Sequence, residues 1–326
     1  MLLKKKSTRR KVLQAGKVAW SLGRTFLLFI LGFVILYPLM KTLSRAFMPF
    51  QQYSDPSVVW IPKSLTLVNI KAAMDMMNFW DSFGHTVILC IGCALLQVAS
   101  SAYIGYGFAR FRFRLRGPLF MLVLLTIVVP TSLIYIPMMM QYRFFDFFGV
   151  SQLIAWVKGG DVNDYTVNLL GQYTTFFLPS ALGVGVRSGL FIYIFRQFFR
   201  NVPRELEEAA KIDGCGPWRT FLSNMLPNAS NSAITVFLFS IVWHWNETMM
   251  SNAFFPTQKT LALQVDNMSI EDAVSMGYYE AVGRNWASAQ GMRYGALILF
   301  LVPVLLLYIV AQRYFIEGVE SSGIKG

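Results

Sequence analysis

The residues of this 326-residue sequence that could do chemistry are two histidines, three cysteines and a few charged or amide side chains set in apolar surroundings. His85 and His244 are far apart, and neither has a second ligand at metal spacing, so both read as structural. Cys90-Ile91-Gly92-Cys93 has the C-x-x-C spacing that in a soluble protein points to redox or zinc chemistry. Here the pair sits inside a long uncharged run, with no second pair and no nearby charge to stabilise a thiolate. It reads as two small hydrophobes on one helix face, and Cys215 stands alone in a polar stretch. No Gly-rich phosphate loop with Lys, nucleophile–His pair or cleft of paired carboxylates can be placed. The sequence therefore holds no catalytic constellation, and no metal is expected. What remains is Arg187 inside an apolar stretch, the run Trp243-His244-Trp245-Asn246-Glu247, and the polar side chains Gln97 and Tyr193.

The elements that must position these residues follow from composition. Hydrophobic residues make up 55% of the chain and charged residues only 14%, against roughly 25% in soluble domains. Uncharged runs such as Phe26–Met40, Thr86–Phe108 and Ala296–Ala311 recur. A membrane helix needs about 20 mostly apolar residues, which makes this an all-α integral membrane protein. About six spans are expected, at 21–47, 85–108, 117–140, 174–199, 231–255 and 291–315. The stretch from Thr25 to Pro49 is longer than the apolar core of a signal peptide, so it reads as a retained first span.

Charge placement gives the orientation. The net charge of +12 is not a nucleic-acid face, because the Lys and Arg residues sit in short blocks beside the spans. With the N-terminus inside, segments 1–20, 109–116, 200–230 and 316–326 hold 16 Lys and Arg, while 48–84, 141–173 and 256–290 hold 6. Both termini are thus expected in the cytoplasm: a basic N-terminus 1–20, a membrane domain 21–315 and a tail 316–326. In that frame Arg187 falls about mid-way along the fourth span. A charge there is costly and marks either a functional position or a pair with a residue such as Glu247. The outer loops carry Trp60, Trp156, Tyr165 and Trp286, residues that favour membrane interfaces as much as partners.

The internal segment 201–228 is the most informative. Pro203 suits a first helical turn, Glu205, Glu207 and Glu208 place negative charge at the positive end of the helix dipole, and Ala209 and Ala210 favour helix. Gly214 can end that helix in the left-handed conformation. Pro217 can start a second short helix, which should stop or kink before Pro227. Two short helices joined by a Gly elbow, exposed on the cytoplasmic side, suit docking into a groove on a cytosolic partner.

Glu208-Ala209-Ala210, then Gly214, then Leu226-Pro227 resembles the EAA loop of ABC-importer permeases. The fuller stretch Glu205–Gly214 resembles the version found in the carbohydrate-uptake family, similar to the smaller permease of the maltose transporter. The likeness covers nearly the whole chain: Ile61-Pro62, Thr66-Leu67 and Asn69; Tyr106–Phe111; Val129-Pro130 and Ile136-Pro137; Phe195–Phe199; Trp245-Asn246; and the ending Gln312–Phe315, Gly318 and Gly323–Gly326. Departures are Asn224 in place of an apolar residue, His85-Thr86 in place of Asn-Ser, and a longer loop at 150–173.

That resemblance implies a type I ABC-importer permease of the bacterial inner membrane, carrying a sugar or oligosaccharide. Glu205, Glu207, Glu208, Ala209, Ala210, Asp213, Gly214, Leu226 and Pro227 would form the coupling segment seated on an ATPase. Arg187, Tyr193, Trp243, Trp245, Asn246, Glu247 and Gln97 are the candidates for the solute pathway. ATP and Mg would be held by two copies of a separate ATP-binding subunit. A second permease and an extracytoplasmic solute-binding protein would complete the assembly. The alternatives are a permease of this type for a non-sugar solute, or a channel or membrane enzyme.

Overall fold

The structure, a computed structural model, describes residues 2–255, 259–278 and 286–322; the resembling ending Gly323–Gly326 lies outside these. The described residues are helical, with one isolated antiparallel bridge, Phe145 to Val167. In chain order the helices are α1 (Leu2–Ala46), α2 (Val68–Met76), α3 (Phe79–Arg110), α4 (Arg116–Val128), α5 (Thr131–Arg143), α6 (Val150–Lys158), α7 (Thr174–Ala181), α8 (Ser188–Asn201), α9 (Glu205–Ile212), α10 (Pro217–Asn228), α11 (Ser230–Trp245), α12 (Met249–Phe254), α13 (Leu261–Asp266), α14 (Ile270–Ser275) and α15 (Trp286–Ser322). They fall into two compact units, Met1–Ala73 with Ser269–Leu299, and Met74–Met268 with Phe300–Gly326.

Three of the six expected spans are single long apolar helices, at Gly16–Ala46, Phe79–Arg110 and Gln290–Arg313. The others are bent or broken. The span expected at 117–140 is α4 and α5, which meet at 102°. Pro130 sits at the bend: it lacks an N–H and disfavours the helical conformation of Val129 before it. The span expected at 174–199 is α7 and α8, separated by 182–187, where Gly183 (φ 73°) and Arg187 (φ 59°) leave the helical region. The span expected at 231–255 is α11 followed by α12, whose Met250 N–H donates to the Glu247 carboxylate at 2.9 Å. Counting α4 with α5, and α10 with α11 (bent by 76°), as one crossing each gives up to five crossings of sufficient length and apolarity among the described residues.

In the first unit, α1 exposes most of its apolar side chains along 20–43, as a helix facing lipid or another chain must. Beyond it the chain folds back through Thr66 N–H to the Phe47 carbonyl (2.8 Å) and a Tyr37–Trp60 edge-to-face pair at 4.9 Å. Lys63 holds Asp55 at 2.7 Å, and that hydrogen bond, with those from Ser57, lowers the carboxyl pKa below the usual carboxylate range. Asn69 is the internal pin. It is 1% exposed, and its Nδ2 donates to the carbonyls of Ala46 (3.0 Å) and Met48 (2.8 Å). Gly291 and Gly295 of α15 lie directly over it: a Cβ would come within 2.9 Å of the Asn69 amide at Gly291 and 2.8 Å of its backbone carbonyl at Gly295. The small-xxx-small spacing lets the helix backbone approach a buried amide.

The second unit is built on α3, which packs against α7, α8 and α11. Its inward face runs Ser82, Thr86, Leu89, Cys93, Gln97, Ser101 and Gly105, mostly small or polar residues at three- and four-residue steps. Cys90 and Cys93 are free and buried here, as two small hydrophobes would be. Near the C-terminal end of α3, Phe191, Phe195 and Phe199 of α8 pack with Tyr106, Phe221 and Met225 into an aromatic core. The loop 150–173 is an ordered excursion: Asp146 accepts from the Ser151 N–H (2.8 Å), Ser151 Oγ donates to the Tyr165 carbonyl (3.0 Å), and Trp156 projects outward at 83% exposure.

Replacing Asn69 by Ala removes a donor to two buried carbonyls. The expected cost is about 1–3 kcal/mol, the desolvation penalty of an orphaned polar group. It is read as a lowered midpoint of thermal unfolding in detergent, and an unchanged midpoint would contradict the pin.

Candidate functional sites in the coupling loop and the polar core

The loop at 201–228 forms two helices joined by an elbow, as its residues imply. The helix α9 starts at Glu205 with Arg204 as N-cap, so Pro203 precedes the first turn instead of lying in it. It ends as the glycine signal requires. Gly214 adopts φ 77°, the Cys215 N–H donates to the Ala210 carbonyl (2.9 Å), and the Asp213 N–H donates to Ala209 (3.0 Å). The six-to-one bond from Cys215 closes a Schellman motif around a residue that must be left-handed.

Pro217 opens α10, but that helix does not stop before Pro227. It runs through to Asn228 by way of a π turn at Phe221–Met225, in which the Leu226 N–H reaches back to the Phe221 carbonyl. The widened turn relieves the clash that proline imposes on the preceding turn. Asn224 lies within it and accepts from the Asn228 side chain through its carbonyl at 2.7 Å. Leu226 packs against the aromatic core, whereas Pro227 is exposed.

Burial divides the residues assigned to coupling. Glu205, Glu208, Ala209, Asp213 and Gly214 face outward, together with Leu206 and Ile212, the latter 86% exposed. Glu207 and Ala210, three residues apart, face the protein body. Ala210 is 4% exposed, and the Glu207 carboxylate lies 3.1 Å from Arg110 Nε, an ion pair whose angle does not make a hydrogen bond. Arg110, on the last turn of α3, also donates from Nη2 to the Val202 carbonyl. In the sequence it stood only in a basic block and within the resembling stretch Tyr106–Phe111, with nothing to name its partner.

The second cluster surrounds Gln97, which is fully buried and fully used. Its Nε2 donates to the Val186 carbonyl (2.7 Å) and Ser188 Oγ (3.1 Å), while its Oε1 accepts from Ser240 Oγ (2.6 Å). One amide thus ties α3 to the break before α8 and to α11. Ser100 adds a bond from its Oγ to the Ser180 carbonyl at 2.7 Å. On α11, His244 donates from Nδ1 to the Ser240 carbonyl (2.9 Å), which leaves Nε2 as the acceptor end of the ring, with no partner.

A cavity of about 440 Å³ opens beside this cluster, walled by α4, α5, the 183–190 segment, His244 and Phe254. Arg187 is at its wall. The guanidinium is exposed, lies 5.7 Å from the centre of the Trp243 ring, and makes no ion pair among the described residues, so Glu247 is not its partner. Trp243 is half-buried between Phe191 and Phe239. The other pathway candidates are placed differently. Trp245 is 5% exposed, with its indole N–H on the Phe300 carbonyl (3.2 Å). Asn246 turns back to the Val242 carbonyl (2.7 Å), and Tyr193 lies exposed on α8, accepting from Gln197 at 3.1 Å. The structure therefore places Arg187 and His244 on the cavity wall, with Trp243 beside Arg187, and ties Gln97 and Trp245 into the framework. Among the described residues no group of His, Cys, Asp and Glu could hold a metal.

Comparison with known proteins agrees with this architecture. Residues 101–320 match the family model described as binding-protein-dependent transport system inner membrane component. The chain is 25% identical over 299 residues to the arabinooligosaccharides transport system permease protein AraQ of Halalkalibacterium halodurans, covering 91% of this chain and 93% of that one. It is 25% identical over 296 residues to the melibiose/raffinose/stachyose import permease protein MelC of Bacillus subtilis, covering 90% and 92%. A solved bacterial ABC transporter involved in import of the acidic polysaccharide alginate superposes with a TM-score of 0.66, at 18% identity, over 91% of this chain and 96% of that one, which shows a shared fold. The matched span takes in the last part of α3 from Ser101, the break before α8, the whole of the exposed elbow and α15 as far as Glu320, and the chain belongs to the family of binding-protein-dependent transport system inner membrane components.

Proposed function

We propose that this chain is one permease half of an ATP-driven importer for a sugar or oligosaccharide, spanning the bacterial inner membrane about six times with both ends in the cytoplasm. The observation that carries the reading is α9: a short, firmly capped helix whose outer face presents Leu206, Glu208, Ala209 and Ile212 to solvent while its inner face is fastened to the end of α3. A helix held this way suits insertion into the cleft of a separate ATP-hydrolysing subunit, with Glu208 meeting a basic group there. Two such subunits, a second permease and an extracytoplasmic binding protein complete the machine. The sugar assignment is supported by the oligosaccharide names of the two relatives. In the membrane, the cavity lined by Phe108, Phe176, Phe254, Arg187 and His244 offers aromatic side chains, a cation and a free acceptor, which together fit a hydroxylated solute. A second reading, an anionic glycan, is favoured by Arg187 itself, an unpaired cation on a path otherwise poor in charge.

The direct test is co-purification with an ATPase whose hydrolysis rises when the solute-loaded binding protein is added; absence of any associated ATPase would overturn the reading. Within that assembly, Gly214→Val forces a branched side chain into φ 77°, a conformation costing about 1–3 kcal/mol, and Glu208→Lys reverses the outward charge. Both are expected to leave the chain in the membrane and abolish most uptake, measured with radiolabelled oligosaccharide. Normal uptake in both would count against the coupling role. Arg187→Gln is expected to lower uptake about tenfold while the complex still assembles, with the larger loss for uronate-containing oligosaccharides if the solute is anionic.

A further inference from the structure

We propose that the Arg110–Glu207 pair is the strut through which α9 moves α3, and that Glu207 is a positioning residue of the transport cycle instead of a contact to the ATPase. This rests on the reading of 205–214 as the coupling segment. Both side chains are withdrawn from solvent, Arg110 at 7% and Glu207 at 14% exposure, and the charges lie 3.1 Å apart. Neighbouring Glu205 and Glu208 on the same short helix are exposed, so the inward turn of Glu207 is a choice of helix face.

Three further ties surround the pair. The Arg110 guanidinium also binds the Val202 carbonyl, in the link from α8 into α9. The Tyr106 side chain, one turn back along α3, lies beside the same carboxylate and packs on Phe199 and Phe221 at 5.4 and 5.1 Å. Ala210, one turn on from Glu207, is buried against the same surface. A partly desolvated ion pair holds geometry because losing either member strands the other charge. From Arg110 the helix rises about 20 Å, at about 1.5 Å per residue, to Gln97, whose amide fixes the break before α8 and the cavity wall. A push on the outer face of α9 is thereby delivered along one continuous helix to the polar core.

The test uses the assembled transporter in nanodiscs, in a Cys215→Ser background. Spin labels are placed at Ile212→Cys on α9 and Trp80→Cys at the far end of α3, both exposed sites. Distances are read without nucleotide and after trapping with ATP and vanadate. With the strut intact, one narrow distance is expected to persist on trapping, because α9 and α3 move as one body. Glu207→Gln and Arg110→Gln are each expected to broaden the distribution and shift it on trapping. They should also reduce the stimulation of ATP hydrolysis by the binding protein about fivefold or more. The double charge swap Arg110→Glu with Glu207→Arg is expected to recover the narrow distance. Single variants indistinguishable from the parent would overturn the strut, as would a parent distance that shifts as much as theirs. Where a single variant does not assemble, Glu207→Asp is read instead, and an unchanged distance and stimulation in it overturns the proposal. Vanadate trapping in the parent separates the two levels: its absence overturns the coupling reading, whereas trapping with unaffected variants overturns the strut alone.

Discussion

Hydrocarbon offers no hydrogen-bond partner, so a polar side chain at membrane depth must find all of its partners in the protein. Gln97 meets that constraint with two donors and one acceptor engaged, and the rest of the second unit is arranged around it. Its amide reaches the carbonyl of Val186 only because α7 ends at Ala181 and α8 begins at Ser188, leaving a non-helical passage between them. Its carbonyl reaches Ser240 only because α11 packs along α3. The same geometry puts His244 one turn beyond Ser240 with one ring nitrogen committed to that residue's carbonyl and the other uncommitted. A framework interaction and the candidate solute cavity are therefore parts of one arrangement.

The interrupted spans follow the same rule. Non-helical backbone is tolerated at membrane depth where protein or a cavity surrounds it, and both the bend at Pro130 and the passage at 182–187 border the cavity. Breaking a helix there also exposes the N-terminal end of α8, where backbone N–H groups and Arg187 supply positive potential without a counter-charge from an acidic side chain. At the α9 end of α3 the logic is different. Glu207, Arg110 and Tyr106 form a charged and aromatic clasp on the inner face of α9, while the outer face of the same helix is exposed. A fastened face on one side and an exposed face on the other are what a transmitted motion requires.

Much of this was legible in the residues. The Glu run, the alanines and Gly214 announced α9 and its Schellman end, because caps and propensities act within one or two turns. The C-x-x-C pair read correctly as packing, because an apolar run cannot stabilise a thiolate. Pro227 marked an interruption before it, and the structure supplies one as a π turn at Phe221–Met225, though the form of the interruption was not written in the residues. Gln97 and Trp245 looked like pathway residues because an amide and an indole suit sugars, yet both are used inside the framework. His244 read as structural for want of a metal partner, and it is buried with Nδ1 on the Ser240 carbonyl; that its Nε2 has no partner among the described residues was not legible. Asn69 belonged to a recognisable stretch, but its reason, two carbonyls and two glycines of a distant helix, was visible only in the fold.

What the sequence alone determined is what depends on short range or on bulk composition. Apolar length set the membrane as solvent, the imbalance of Lys and Arg set an expected orientation, and cap residues set the coupling elbow. The tertiary structure decided which polar groups meet. Gln97 binds partners 89 and 143 positions away along the chain, and Arg110 binds a carbonyl 92 positions away. Nothing in a local window records such a pairing, because its free energy exists only once desolvation has removed water as the alternative partner.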